Sequence, residues 1–166
     1  MLNEIIHQQH LELRELFMQH QEVLLQARFH EAIASLAHFD ARLAVHMSLE
    51  EKHLFPEFAG IDRKTKWDVS LYEMEHEKVK QLYAIISNDL EWLSEQSLNE
   101  SETRRNIIAL LDKEKTFKGL LEHHEDREVS AMLKELDEQL PESVLQELVL
   151  KIQSEWDEPV AGESFN

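Results

Sequence analysis

Apolar side chains recur every three or four residues along most of the chain, which is the period of a helix with one buried face. The clearest stripe predicts a helix over about residues 66–96 and consists of Val69, Tyr72, His76, Val79, Tyr83, Ile86, Leu90 and Leu93. Similar stripes predict helices over residues 2–26, about 30–58, about 100–140 and 141–156. Four long amphipathic helices with short connections predict an all-α fold, an up-down-up-down four-helix bundle with a short extra C-terminal helix.

The pattern also divides the chain into parts. Residues 1–140 are predicted to form the four-helix bundle, and residues 141–156 a C-terminal amphipathic helix. The apolar stripe of that helix must pack on the bundle or on another subunit, so a homodimer through the stripe is one expectation. Residues 157–166 include Pro and Gly and few groups that could pack, which predicts a flexible tail.

Composition narrows the class of protein. Only three Gly and three Pro occur in 166 residues, which favours helix, and the formal net charge is −17. That charge repels a phosphate backbone or an anionic membrane, so neither nucleic acid nor membrane is an expected partner. The N-terminus lacks a basic leader, and uncharged apolar runs of spanning length are absent from the sequence. We therefore expect a cytoplasmic protein.

Histidine and glutamate form a pattern on the predicted helices. The second and fourth helices each carry a histidine with a glutamate four residues later, and the first and third each have a histidine within the apolar stripe. Because residues four apart share a helix face, each pair has metal-ligand spacing. With no cysteine in the chain, a metal must be bound by imidazole and carboxylate groups. The predicted metal ligands are His10, His46, Glu50, His76, His124 and Glu128.

These motifs resemble the hemerythrin-like, or HHE, cation-binding domains. The resemblance covers the chain to about residue 140 and is carried by residues 10–14 (HLELR), 46–51 (HMSLEE), 54–56 (LFP), 75–77 (EHE) and 124–128 (HEDRE). It implies two iron ions, one bound by His10 and His46 and the other by His76 and His124. Glu50 and Glu128 would bridge the ions, together with an oxo or hydroxo group.

Two departures from the oxygen-carrying hemerythrins affect the implied function. Tyr72 and Lys80 stand one turn from His76, where those proteins place a second histidine, and the fourth helix carries HxxxE rather than HxxxxD. One iron should therefore be more open. The resemblance implies that this iron binds or reacts with O2, NO or peroxide, in sensing, scavenging or iron handling. Whether the protein is an enzyme stays open, and so does manganese or zinc in place of iron.

Two other functions fit parts of the pattern. Glu50 with His53 and Glu73 with His76 have the Glu-x-x-His spacing of ferritin-like di-iron carboxylate proteins, although position 121 is a leucine where that class requires glutamate. A metal-free helical interaction module is the alternative from another class. Further expectations concern single residues. Tyr72 and His53 are candidates to support the metal ligands from outside, and His20 should meet Glu114 in a buried hydrogen bond.

Overall fold

The computed structural model describes residues 1–163, and within that range the regular secondary structure is all helical, without strands. Two π-helical segments, Glu50–Leu54 and Glu128–Met132, interrupt the α-helices. The α-helices are α1 (Leu2–Leu25), α2 (Phe29–Leu49), α3 (Phe55–Gly60), α4 (Val69–Ser94), α5 (Glu100–Arg127), α6 (Leu133–Gln139) and α7 (Glu142–Trp156). Since the π-helical segments join α2 to α3 and α5 to α6, residues 29–60 and 100–139 are continuous helical rods, close to the predicted bounds.

The start of α5 follows a sequence signal. The Asn99 side chain accepts a hydrogen bond from the Glu102 backbone N–H at 2.9 Å, and the Glu102 carboxylate accepts one from the Asn99 backbone N–H at 3.0 Å. This reciprocal capping box satisfies two backbone donors that the first helical turn leaves unpaired. Helix α4 begins in a similar way, because the Asp68 side chain accepts from the Ser70 N–H at 3.0 Å.

Together with α1 and α4, the two continuous segments 29–60 and 100–139 make four helical rods, which share one core. Helix α1 packs on α2, α4 packs on α5 and on α2, and α1 also contacts α5 and α6. Phe17, Phe39 and Phe117 meet in the middle of this core, with ring centroids 4.9 to 6.0 Å apart. These aromatic contacts join three different helices. They therefore fix how far the helices are shifted along one another, and with it the relative heights of their histidines.

Each π-helical segment begins at the glutamate of an HxxxE pair. The backbone N–H of Phe55 donates to the Glu50 carbonyl, and that of Leu133 donates to the Glu128 carbonyl, both five residues back. Pro56 gives a physical reason for the first segment, because its ring lacks an N–H and clashes with the carbonyl four residues earlier. Such wider turns inside α-helices are frequent at functional sites.

The apolar stripe of α7 packs on the same chain. Helix α7 contacts α1 and α2, and the Trp156 indole N–H donates to Glu12 at 3.1 Å. The buried stripe residues are Leu145, Leu148, Ile152 and Trp156. Of the two expected positions for this stripe, the structure gives the one on the same chain, against α1 and α2, and a homodimer stays a prediction.

The segment after α7 folds back on α2. The Arg42 guanidinium donates to the Trp156 carbonyl at 2.6 Å and to the Glu163 carboxylate at 2.5 Å. Flexibility of the predicted tail stays a prediction for residues 157–163, and residues 164–166 lie outside the described part of the chain. Within residues 1–163, every helix is too short or too polar to cross a lipid bilayer.

Candidate metal centre

The side chains of the six predicted ligands come together in the space between the helices. They form two overlapping groups, and within each group one candidate ligand atom per residue lies within 4.8 Å of the others. All six residues are at most 2% exposed. The first group is His10, His46, Glu50 and Glu128, and the second is Glu50, His76, His124 and Glu128. Each group could hold a metal ion, and the two glutamates belong to both groups.

The Glu50 carboxylate reaches both groups. Its Oε1 lies 3.3 Å from His46 Nε2, whereas its Oε2 lies 3.1 Å from His76 Nε2 and 3.8 Å from His124 Nε2. Because each oxygen faces a different group, a cation in either group would be within reach of one oxygen. This is the arrangement of a bridging carboxylate.

Glu128 repeats the arrangement from the opposite rod. Its Oε2 lies 3.2 Å from His10 Nε2, and its Oε1 lies 2.6 Å from His124 Nε2. Both HxxxE pairs are therefore formed as the sequence predicts, with each histidine and its glutamate one helical turn apart on the same face. The two carboxylates face each group from two different rods.

Each histidine turns its other ring nitrogen outward, onto an oxygen of a neighbouring helix. His46 Nδ1 lies 2.9 Å from the Gln9 side-chain oxygen, and His76 Nδ1 lies 2.8 Å from the Glu51 carboxylate. A carboxylate only accepts hydrogen bonds, so His76 donates from Nδ1 and keeps the Nε2 lone pair directed inward. An outer acceptor of this kind orients a metal-binding imidazole and fixes its tautomer.

The other two histidines complete the same pattern. His124 Nδ1 donates to Glu75 at 2.9 Å, and Glu75 in turn pairs with Arg127. His10 Nδ1 lies 4.0 Å from the Glu125 carboxylate, which pairs with Arg14. In each of the four rods the residue beside a candidate ligand supports the histidine of the next rod, and the four supporting residues are Gln9, Glu51, Glu75 and Glu125.

Sequence reasoning missed this outer ring. In the structure, Glu125 is 6% exposed and faces His10. Position along the chain offered a signal, since each of the four residues directly precedes or follows a candidate ligand. This signal could be used only if the rotation of each helix about its own axis were known, because adjacent residues on a helix point about 100° apart.

Several of the inward atoms lack a hydrogen-bond partner among residues 1–163. The Nε2 atoms of His76 and His124 lie 3.1 Å apart, and His76 Nε2 is also 3.1 Å from Glu50 Oε2. The buried polar atoms without a partner among the described residues include His10 Nε2, Glu50 Oε1 and both Glu128 side-chain oxygens. Unsatisfied buried acceptors are costly, and a cation would satisfy them together. The donor set therefore fits metal ions.

Electrostatics prepares part of the cluster for cations. Burial lowers the pKa of His46 to about 4, so this imidazole is neutral near pH 7. Burial alone would raise the pKa of Glu50, but His46, His124 and His76 outweigh it and hold that pKa well below its usual value. By contrast, Glu128 and Glu50 raise the pKa of His124 well above its usual value, although burial opposes them. A cation therefore competes with a proton at His124.

Tyr72 lies beside the cluster, as predicted. Its ring centroid is 6.1 Å from that of His124, and its hydroxyl donates to the Arg127 carbonyl at 3.5 Å. Burial and the Glu128 charge raise the pKa of Tyr72 to about 12. The phenol therefore fills the core next to Glu128, and within the described chain its hydrogen bond goes to the backbone rather than to a candidate ligand.

His53 faces away from the cluster. Its Nε2 lies 2.8 Å from the Glu155 carboxylate on α7, and the hydrogen bonds of the described residues do not join it to the six candidate ligands. The expected supporting role of His53 is thus not formed. Glu73, the other glutamate of the ferritin-like spacing, is exposed. Of the four residues that suggested a ferritin-like site, Glu50 and His76 lie in the cluster, whereas His53 and Glu73 do not.

Another buried histidine, outside the cluster, lies further along the rods, where the sequence predicts it. His20 Nε2 is 2.7 Å from Glu114 Oε1, and both side chains are fully buried. His20 Nδ1 is 2.9 Å from the Ala32 carbonyl, and the Gln21 side chain donates to Glu114 at 2.9 Å. The predicted hydrogen bond is confirmed, and with it the relative register of α1 and α5.

Comparisons of the chain with protein-family models, with curated proteins and with solved structures found no match.

Proposed function

We propose that the protein is a hemerythrin-like di-iron protein that binds or reacts with a small oxidant or diatomic molecule. One observation carries the proposal. Four histidine Nε2 atoms and two carboxylates converge in two groups that share Glu50 and Glu128, while the histidine Nδ1 atoms face outer acceptors. Burying these groups without a cation would leave unsatisfied acceptors in the core.

The proposed bundle topology is up-down-up-down. It is supported by contacts whose residue numbers change in opposite directions along neighbouring rods. Met1 pairs with Asp137 near the ends of α1 and α6, whereas His20 meets Glu114 further along α1. Similarly, Glu75 meets His124 and Asp89 meets Lys113 between α4 and α5. Antiparallel neighbours of this kind bring one side chain from each rod to a common level.

In this proposal His10 and His46 hold one iron, and His76 and His124 hold the other. Glu50 and Glu128 span the two, because each presents one oxygen to each group. Iron ions bound there would supply redox chemistry and open coordination positions. Two carboxylates against two divalent ions leave the site net positive, which favours peroxide or another small anion. Six protein ligands are few for two octahedral ions, so positions remain for exogenous ligands.

The chain itself supplies orientation of the imidazoles and cover on one side of the cluster. The carboxylates of Glu51 and Glu75 orient His76 and His124. Tyr72 and Phe55 cover the cluster on their side, with the Phe55 ring stacked 5.4 Å from His76, and such cover limits side reactions with water. Imidazole and carboxylate ligands also accept manganese and zinc, so metal availability would affect which ion is bound.

Metal analysis of the purified chain tests the proposal. We expect two irons per chain, with the charge-transfer absorption of a bridged ferric pair, and a changed spectrum when the reduced protein meets O2 or NO. Glu128→Gln should lose most of the iron, because its amide cannot bridge with two anionic oxygens. Glu122→Gln, a matched change at an exposed position of the same helix, should keep it. Equal iron content in the two variants would contradict the proposal.

A chain that contains no metal as purified, takes up none from ferrous solution and keeps its melting temperature in chelator would contradict it as well. That result would favour the metal-free interaction module instead.

A further inference from the structure

A cavity of about 230 Å³ lies between α1 and α5, next to the cluster. Its walls are apolar and come from all four rods, including Leu13, Phe17, Phe39, Leu43, Val79 and Leu121. Its inner end is formed by His46, His76 and His124. The cavity therefore leads from the surface to three of the four candidate histidine ligands.

The cavity is larger than the diatomic ligands need. An apolar cavity of about 150 Å³ is enough to bind benzene. By that measure a space of about 230 Å³ accommodates a ring with a short substituent, or a chain of roughly six to eight carbon atoms. Dioxygen and nitric oxide would occupy only a small part of it. The volume thus indicates an organic occupant.

The charges around the opening do not select an ion. Arg14 at the opening is paired with Glu125, and Lys118 and Glu122 add one charge of each sign. Because the two signs balance and the walls are apolar, a charged ligand would lose its hydration without a dedicated partner. The exposed Met18 side chain adds further apolar surface at the opening. The chemistry of the lining matches a neutral, apolar molecule.

The cavity contacts only part of the cluster. It touches His46, His76 and His124 but not His10, Glu50 or Glu128. A bound molecule would therefore lie on the side of the cluster away from the two carboxylates. We propose that the cavity binds a neutral apolar organic molecule, a single aromatic ring or a short alkyl chain, beside the metal site. The position of this molecule beside a metal rests on the proposed function, whereas its binding in the cavity does not.

Toluene is a suitable probe, and calorimetric titration of the full chain in metal-free and iron-loaded forms measures its binding. We expect saturable one-to-one binding in both forms. Val79→Phe fills the cavity wall and should weaken binding at least tenfold. Val144→Phe makes the same change on α7, outside the cavity, and should leave the affinity unchanged. Leu121→Phe, at a half-buried wall position, provides a second test if Val79→Phe does not fold.

A separate measurement tests whether the bound toluene lies close to the metal ions. Nuclear relaxation of the toluene protons should be faster with the Mn2+-loaded protein than with the Zn2+-loaded protein, because only Mn2+ is paramagnetic. Absence of saturable toluene binding would overturn the proposal, and so would unchanged affinity in folded Val79→Phe or Leu121→Phe. Equal relaxation with both metals would overturn the position beside the cluster.

The two proposals fail separately. Toluene binding by a chain that takes up no metal would refute the proposed function and leave the cavity proposal standing. Two bound irons without toluene binding would do the reverse.

Discussion

Replacing Glu114 with alanine tests the helical register on which the proposed metal centre depends. The change removes the carboxylate that pairs with His20 at 2.7 Å and also accepts from Gln21 at 2.9 Å, in a site where both His20 and Glu114 are fully buried. Removing one partner of a buried pair costs about 3–5 kcal/mol, since the other partner stays buried without compensation. At about 2–4 °C per kcal/mol for a chain of this size, the melting temperature should fall by roughly 6–20 °C.

Two companion variants grade the effect. Glu114→Gln keeps an oxygen that accepts from His20, so it should cost only about 1 kcal/mol. Asp89→Ala breaks the pair between Asp89 and Lys113, which joins α4 to α5 one residue from Glu114 but is largely exposed. An exposed pair contributes between about 0 and 1 kcal/mol, so this variant is the matched control.

Urea unfolding of the metal-free proteins measures these differences, and metal analysis accompanies it. Glu114 lies ten residues before His124 on the same helix, about 15 Å along its axis, so iron content should be unchanged in every variant that folds. A loss below about 1 kcal/mol for Glu114→Ala, or equal losses for Glu114→Ala and Asp89→Ala, would refute the reasoning.

Three further predictions concern the cluster and its surroundings. Gln9→Leu removes the hydrogen-bond acceptor of His46 and should weaken metal binding by about 10–100-fold, as measured by competition with a chelator. The control Gln8→Leu, at an exposed position, should leave metal binding unchanged. Chelation of iron from the wild type should lower the melting temperature by about 8–16 °C, because ligand at a thousand times its dissociation constant stabilises by about 4 kcal/mol. Burial raises the pKa of Tyr72 and of Tyr83 to about 12, whereas both tyrosines ionise near pH 10 in the unfolded chain. The near-ultraviolet absorbance of the folded protein should therefore show little tyrosinate at pH 10.5. Because the folded state then holds protons that the unfolded chain has released, stability should fall as the pH rises above about 10, and a normal titration of both tyrosines in the folded protein would contradict the prediction.

Much of the fold was accessible from periodicity because each rod has one buried face. The stripe through Tyr72, His76 and Val79 identified α4, and the capping-box spacing of Asn99 and Glu102 identified the start of α5. Burial also explains why six candidate ligands were found. A polar residue within an apolar stripe is conspicuous in a sequence, and six such residues at compatible levels suggested one cluster.

The outer ring could not be read in the same way. Glu51 is 43% exposed at its side chain, and Glu75 and Glu125 lie among many glutamates of a highly acidic chain, so the sequence gives them no distinctive pattern. Their roles depend on which neighbouring helix they face. His53 illustrates the converse error, since its position two turns after His46 suggested the cluster, but it faces Glu155 of α7. Periodicity locates a residue on its own helix and does not identify its neighbour.

The two π-helical segments explain why counting worked up to the cluster and not past it. From His46 to Glu50 and from His124 to Glu128 the backbone is α-helical, so the four-residue spacing places donor and acceptor on one face. At Glu50 and at Glu128 the backbone changes to five-residue hydrogen bonds, which turns every later residue relative to an ideal α-helix. Residue 53 lies inside the first segment, so a stripe extrapolated through it at α-helical period points in the wrong direction. In the sequence, Pro56 lies just after the first segment and accounts for it, whereas no proline follows the second segment until Pro141, so the sequence gives no such signal for the second change.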